Sequence, residues 1–149
     1  MTHDTLQVVF FDIGDTLGKV KELPPGTPHS GPTLHLDLFP GINNILEKLD
    51  LHHLRVGVIS RIFNYTPTMV NQMLSNAGIL SLFDQALLHY IPGEKPKDKM
   101  EFMNALEKAQ VSDAGLCIFV GEDQQERENA KLAGMLVAAS LQDVESRIP

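Results

Sequence analysis

Strand-like and helix-like segments alternate along this chain, which predicts a three-layer, doubly wound α/β domain with a parallel sheet of about five strands. Two further observations agree. The apolar runs are short and continuous, as expected of parallel strands covered by helices on both faces. The conspicuous carboxylates and hydroxyls stand where those runs stop, and open α/β sheets bind ligands at the carboxyl ends of their strands.

The first strand is read from Leu6 to Phe10, β-branched and aromatic, followed by a Gly-Asp-Thr-Leu turn. Residues 18–38 hold Pro24, Pro25, Pro28, Pro32 and three glycines, and read as an irregular loop rather than a helix or strand. Loops of that length are often functional. Ile42, Ile45, Leu46 and Leu49 recur at helical spacing, and RVGVIS (55–60) reads as the second strand. Val70, Met73, Leu74 and Ala77 mark a second helix stopped by Gly78. QALLHY (85–90) is a weaker third strand, and a third helix runs through Met100, Met103, Leu106 and Ala109. LCIFVG (116–121) is the fourth strand, followed by a polar helix over 123–133 that ends at Gly134. LVAAS is a short fifth strand, and a last helix starts near Gln142.

The whole chain, 1–149, reads as one domain, long enough for a real core, and 43% hydrophobic residues argue against disorder. A net charge of −7 argues against nucleic acid and anionic membranes as partners, since both select basic surfaces. The single cysteine, Cys117, lies in an apolar run and reads as a core residue. No run is long enough for a membrane span, and MTHDTLQ does not read as a signal peptide, so the expectation is a cytoplasmic protein.

The strand ends carry Asp12, Ser60 and the run Gly121-Glu122-Asp123, and Lys95 stands between them in GEKPK. These groups suit phosphoryl transfer. A strand-end aspartate is a candidate nucleophile. An acidic cluster offers oxygen ligands to Mg²⁺. A hydroxyl and an ammonium can hold phosphoryl oxygens. Each residue also has a plainer use. Asp12 and Ser60 could cap helices, Lys95 could be solvated beside Lys97 and Lys99, and Glu122 and Asp123 could favour a helix dipole. Glu126 and Glu128 read as a polar helix face. His52 and His53 suit a helix C-terminus, whereas His29 and His35 sit in the Pro-rich segment, within reach of a substrate.

Four segments in order resemble the haloacid dehalogenase (HAD) superfamily over nearly the whole length. They are FFDIGDTL, VGVIS, PGEKP and VGEDQQERENAKLAGM. The resemblance implies a Rossmann-like fold, Mg²⁺ as cofactor and a phosphorylated substrate. It gives Asp12 the roles of nucleophile and metal ligand, with the Gly14 carbonyl, Glu122 and Asp123 completing the metal set. Ser60 and Lys95 become the phosphate-binding pair, with Thr16 and Arg61 as further substrate contacts, though Thr16 also suits a turn-stabilising hydroxyl. Glu126 is placed like the family's later acid.

Two departures from the family pattern matter. Its phosphatases carry a second aspartate, acting as acid and then base, where this chain has Gly14. Asp15 follows where a small residue is usual, and could reach a leaving group only from a rearranged turn. Losing the proton-transfer group costs roughly 10² to 10⁴ in rate, which leaves substrates with good leaving groups, such as aryl and acyl phosphates. Glu122 also replaces the usual aspartate. The family's dehalogenases lack the second aspartate too, but carry a cap domain for which this chain has no room. An open, capless site suits a large substrate or a partner that supplies the lid. The expected function is therefore a weak or specialised Mg²⁺-dependent phosphatase. The alternatives are a phosphotransferase and a binding or scaffolding module that keeps the fold.

Overall fold

The computed structural model describes residues 6–23 and 33–148. Five strands form one parallel sheet in the order β5 (Leu88–Pro92), β4 (Arg55–Phe63), β1 (Val8–Phe11), β6 (Cys117–Val120) and β7 (Leu136–Ala138). The connecting helices are α1 (Ile42–Leu51), α2 (Pro67–Asn76), α3 (Lys99–Ala109), α4 (Gln124–Leu132) and α5 (Leu141–Glu145). Among the described residues the sheet carries no cap domain, and no helix is long and apolar enough to cross a membrane.

Period-two alternation along β1 builds two cores at once. Val9 and Phe11 face Ile42, Leu46 and Leu49 of α1 and Val70 and Leu74 of α2. Val8 and Phe10 face Phe102 and Ala105 of α3 and Ala130 of α4. All four β1 residues are fully buried, so neither face can take a polar residue, and the sequence shows the continuous apolar run of a covered strand. Phe102 and Phe119 pack edge to face, 4.8 Å between ring centroids, which fixes α3 on β6.

The reading of 18–38 as an irregular loop is corrected at both ends. β2 (Gly18–Leu23) and β3 (Thr33–Leu38) pair antiparallel in a separate two-stranded sheet. In β3, Leu34 and Leu36 are buried while Thr33, His35 and Asp37 are exposed, a strand alternation that the prolines masked. Those prolines, with His29, fall in 24–32, outside the described residues. Two other boundaries move. The third strand begins at Leu88 because Gln85–Leu87 form a 3₁₀ turn capped by Asp84. The second runs past Ser60 to Phe63, because its pairing with β5 continues across an irregularity between Arg61 and Phe63.

The seating of β2 depends on Gly18. A Cβ there would lie 2.2 Å from the Asp37 carbonyl oxygen, so no larger residue fits without separating the two strands. Gly18→Ala is expected to lower stability by about 1–3 kcal/mol, read as a lower urea midpoint. An unchanged midpoint would show that the hairpin moves freely.

A polar cluster interrupts the α3 side. His89 of β5 is buried, with Nδ1 2.9 Å from Lys108 Nζ and Nε2 2.7 Å from Glu101 Oε2. The ammonium has only protons to offer, so Nδ1 accepts and the neutral ring donates from Nε2. Burial lowers the His89 pKa, Glu101 opposes that shift and Lys108 adds to it. Below pH 6.5, the ordinary histidine value, the unfolded chain therefore binds this proton more readily than the folded one. Stability should fall from pH 7 to pH 5 more steeply in the native protein than in His89→Gln, as measured by urea unfolding. Equal slopes would refute the assignment.

Candidate active site

From β1 the chain crosses to β4 on one side, and from β6 to β7 on the other. The strand order reverses there, which opens a crevice at the carboxyl ends of β1 and β6. Asp12 directly follows β1 in that crevice. Its backbone N–H donates to the Val120 carbonyl at 3.0 Å, so the ladder between β1 and β6 continues under the carboxylate.

Lys97 meets Asp12 from the loop between β5 and α3. Its Nζ donates to Asp12 Oδ1 at 2.9 Å and lies 2.8 Å from Glu126 Oε1 in the first turn of α4. Lys97 is 3% exposed, so its ammonium requires both carboxylates. It also sits over the Phe119 ring, 5.0 Å from the centroid, in a cation–π contact. Asn129 Nδ2 holds the Lys97 carbonyl at 3.1 Å and ties this loop to α4. Glu126 Oε1 is buried and pairs with the Lys97 ammonium. Burial pushes the Glu126 carboxyl up, the Lys97 ammonium pulls it down, and Asp12 and Asp123 add repulsion.

In front of these groups lies a cavity of about 300 Å³. Asp12, Gly14, Asp15, Ser60, Lys97 and Glu126 line one part, and Arg61 joins them. Arg61 has a buried Nε without a hydrogen-bond partner among the described residues, and its guanidinium stacks on Phe63 at 4.8 Å. Ser60 is buried and its hydroxyl donates to the Arg61 carbonyl at 3.3 Å. The remaining wall is apolar and comes from the β2–β3 hairpin, the end of β4 and α2.

Asp12, Gly14, Asp15, Ser60 and Arg61, all selected from the sequence, thus meet at one cavity. Others do not. Lys95 is exposed and lines no part of the cavity, and Lys97 takes the place expected of it. The turn at Gly93, with φ +69, follows β5, and the lysine directly before the α3 cap Asp98 is the one directed inward. Proximity to that cap was the available signal; GEKPK offers two lysines and the motif alone favours the first. Asp123 accepts from the Glu126 N–H at 2.9 Å and is the α4 N-cap, outside the cavity lining. Glu122 is exposed and outside the cavity, close enough to Lys19 to contribute to raising its pKa. Glu126, which reads as a polar helix face and by the resemblance as the family's later acid, is half-buried and lines the cavity. Thr16 is buried with its hydroxyl unpaired among the described residues, but it too lies outside the cavity lining. His35 is exposed on β3, His52 caps α1, and burial raises the Cys117 thiol to about 11.

Asp15 occupies the left-handed region at φ 61, a conformation that explains why a small residue suits this position. Its carboxylate pairs with Lys19, and that hydrogen bond is the main cause of the raised Lys19 pKa. Among the described residues, no three His, Cys, Asp or Glu side chains are grouped to hold a metal. Residues with oxygen donors for a hard cation line the cavity, namely Asp12, Gly14 and Glu126, with Lys97 paired to one oxygen of each carboxylate. Mg²⁺ commonly takes one or two carboxylates and keeps several waters, so this set suits it.

Residues 9–140 match the sequence model of a family described as haloacid dehalogenase-like hydrolase. No curated protein matches the chain. Among solved structures, an uncharacterised protein from Listeria monocytogenes serotype 4b is similar over 95% of this chain and 96% of its own, with TM-score 0.71 and 20% identity. A HAD-superfamily hydrolase from Ehrlichia chaffeensis is similar over 99% and 98%, with TM-score 0.66 and 11% identity. CbbY from Rhodobacter sphaeroides, solved in complex with phosphate, is similar over 89% and 85%, with TM-score 0.60 and 14% identity. At these identities the likeness is one of fold.

The ion-pair geometry predicts a sharp contrast between the two lysines. Lys97→Met leaves Asp12 and Glu126 facing each other without their cation and should cost about 3–5 kcal/mol in urea unfolding at pH 7. Lys95→Met should stay within about 0.5 kcal/mol of the native protein. Equal effects would mean that the inward lysine has been misassigned.

Proposed function

The chain belongs to the haloacid dehalogenase-like hydrolases, and on that premise we propose that it hydrolyses phosphomonoesters through an aspartyl-phosphate on Asp12. The observation that carries this reading is Asp12 at the floor of an open cavity, with Lys97 Nζ bound to one carboxylate oxygen at 2.9 Å. That contact orients the side chain and leaves Oδ2 for attack on phosphorus. The Arg61 guanidinium is available to the phosphoryl oxygens, and the Ser60 hydroxyl joins it by turning away from the Arg61 carbonyl to which it donates. Asp12, the Gly14 carbonyl and Glu126 would hold Mg²⁺, with Glu126 in the part first assigned to Asp123. When bound, the cation supplies charge neutralisation at the phosphoryl group.

Proton transfer is the weak point of this site. Gly14 has no side chain, and the Asp15 carboxylate is paired with Lys19 at the exposed rim. The leaving group must depart without a proton, and the water that cleaves the aspartyl-phosphate must attack without a base. Both halves of the reaction slow, by roughly 10² to 10⁴ for the missing group.

The same absence favours a second reading, in which the domain keeps fold and cavity but serves as a binding module. A phosphotransferase is a variant of the first reading, with another acceptor in place of water. Thermal stabilisation by Mg²⁺ with beryllium fluoride, which mimics an aspartyl-phosphate, is expected of the hydrolase and not of the module.

The kinetic test uses p-nitrophenyl phosphate with and without Mg²⁺. Mg²⁺-dependent turnover is expected, with a burst of nitrophenol no larger than the protein concentration, and Asp12→Asn should remove both. Position 14 has room for a side chain, since a Cβ there meets nothing within 4 Å. Gly14→Asp should therefore raise turnover of simple alkyl phosphates by roughly 10²- to 10⁴-fold. Turnover that survives Asp12→Asn would sink the mechanism.

A further inference from the structure

We infer that the phosphomonoester this site is built for is an aryl one, a phosphorylated phenol whose ring lies against the apolar wall of the cavity. The inference rests on the hydrolase reading and names its substrate class.

The first argument is the division of the cavity. The strand-end group holds the proposed nucleophile with Ser60, Arg61, Lys97 and two further carboxylates, and most of the other lining residues are apolar, among them Val20, Leu34, Ile62, Phe63 and Met73. Two of these keep much of their surface in water, Phe63 at 50% and Val20 at 39% exposed. Single exposed apolar residues are ordinary, but several converging on one cavity beside a nucleophile form a ligand surface. Tyr65 donates its hydroxyl to Glu22 Oε2 at 2.6 Å, which occupies its polar tip and fastens the loop after β4 to the hairpin.

Phe63 supplies the second argument. It has φ 54, a left-handed conformation that is rare for a bulky residue, at the point where the register between β4 and β5 shifts. The ring is stacked on the Arg61 guanidinium. An aromatic face and a cation with an unpaired Nε thus stand side by side. A phenyl ring and its attached phosphoryl group present the complementary pair.

The leaving group supplies the third. Asp12 Oδ2 forms the new bond to phosphorus as the bond from phosphorus to the phenolic oxygen breaks. The electron pair leaves on a phenolate, which takes its proton from solvent. A phenol has a pKa of about 10, far below that of water or an alkyl alcohol, so it departs without an acid at position 14. Water then displaces the Asp12 carboxylate from phosphorus, releasing phosphate and a proton to solvent. An acyl phosphate also has a good leaving group but brings no ring to the wall. An alkyl phosphate brings neither. At about 300 Å³ the cavity is at the lower end of ligand pockets, which suits one ring and a phosphoryl group.

The test separates binding from chemistry. Phenylphosphonate and methylphosphonate cannot be hydrolysed at an ester, and calorimetric titration with Mg²⁺ present should show the phenyl compound binding roughly 10- to 100-fold more tightly. In turnover, the KM for phenyl phosphate should lie below that for acetyl phosphate by a similar factor. Phe63→Ser should raise the KM for phenyl phosphate at least tenfold more than that for acetyl phosphate. Turnover with equal affinities for the two phosphonates, or a Phe63→Ser effect shared equally by both substrates, overturns the aryl assignment and leaves the hydrolase standing. Preference for phenylphosphonate without Asp12-dependent turnover overturns the hydrolase reading, and with it the substrate, while keeping the aryl-binding surface.

Discussion

An ammonium almost wholly removed from water must be paired, because the cost of stripping its hydration is several kcal/mol. Lys97 meets that requirement with Asp12 after β1 and Glu126 in α4, and so joins three separate segments at one point. The pairing also limits the carboxylates, which would otherwise repel each other in a half-buried crevice. The Phe119 ring beneath the ammonium and the Asn129 amide on its carbonyl fix the approach from below and from the side. The nucleophile's geometry is therefore a consequence of where one lysine can be satisfied.

The sheet makes that meeting possible. β1 is the central strand, buried on both faces, and its register with β4 and β6 brings the ends of all three to the same edge. Cores on opposite faces, one with α1 and α2 and the other with α3 and α4, prevent a shift of a single residue in β1, which would exchange its faces. The helices hold the chemistry in a rigid frame. The wall facing it comes from a hairpin outside the main sheet, fastened by the fit at Gly18 and the Tyr65 hydroxyl.

Position 14 and position 15 divide what one motif normally combines. The left-handed turn falls at residue 15, where this chain has a carboxylate, and the open space falls at residue 14, where it has none. The carboxylate is present but paired with Lys19 at the rim. On the proposed reading the site has an oriented nucleophile and phosphoryl donors without a proton carrier, a combination suited to substrates that need no proton to leave.

The sequence by itself determined the architecture, because continuous apolar runs and helical periodicity are local consequences of burial. It also singled out Asp12, Ser60 and Arg61, which line one cavity because the adjacent parallel strands β1 and β4 bring them to the same side of the sheet. Lys97 could not be told from Lys95, because direction in a loop depends on where the next helix is capped, and Asp98 sets that point only in the folded chain. Asp123, expected at a metal, caps α4, and Glu126, expected on a polar face or as a later acid, pairs with Lys97, for the same reason: a carboxylate is a cap or a partner for a buried cation according to helix phase, and helix phase is set by packing on the sheet. The β2–β3 pair was hidden by the prolines that lie between the two strands in sequence, whose density outweighed the five-residue alternation from Thr33 to Asp37 that becomes decisive only when α2 packs against β3.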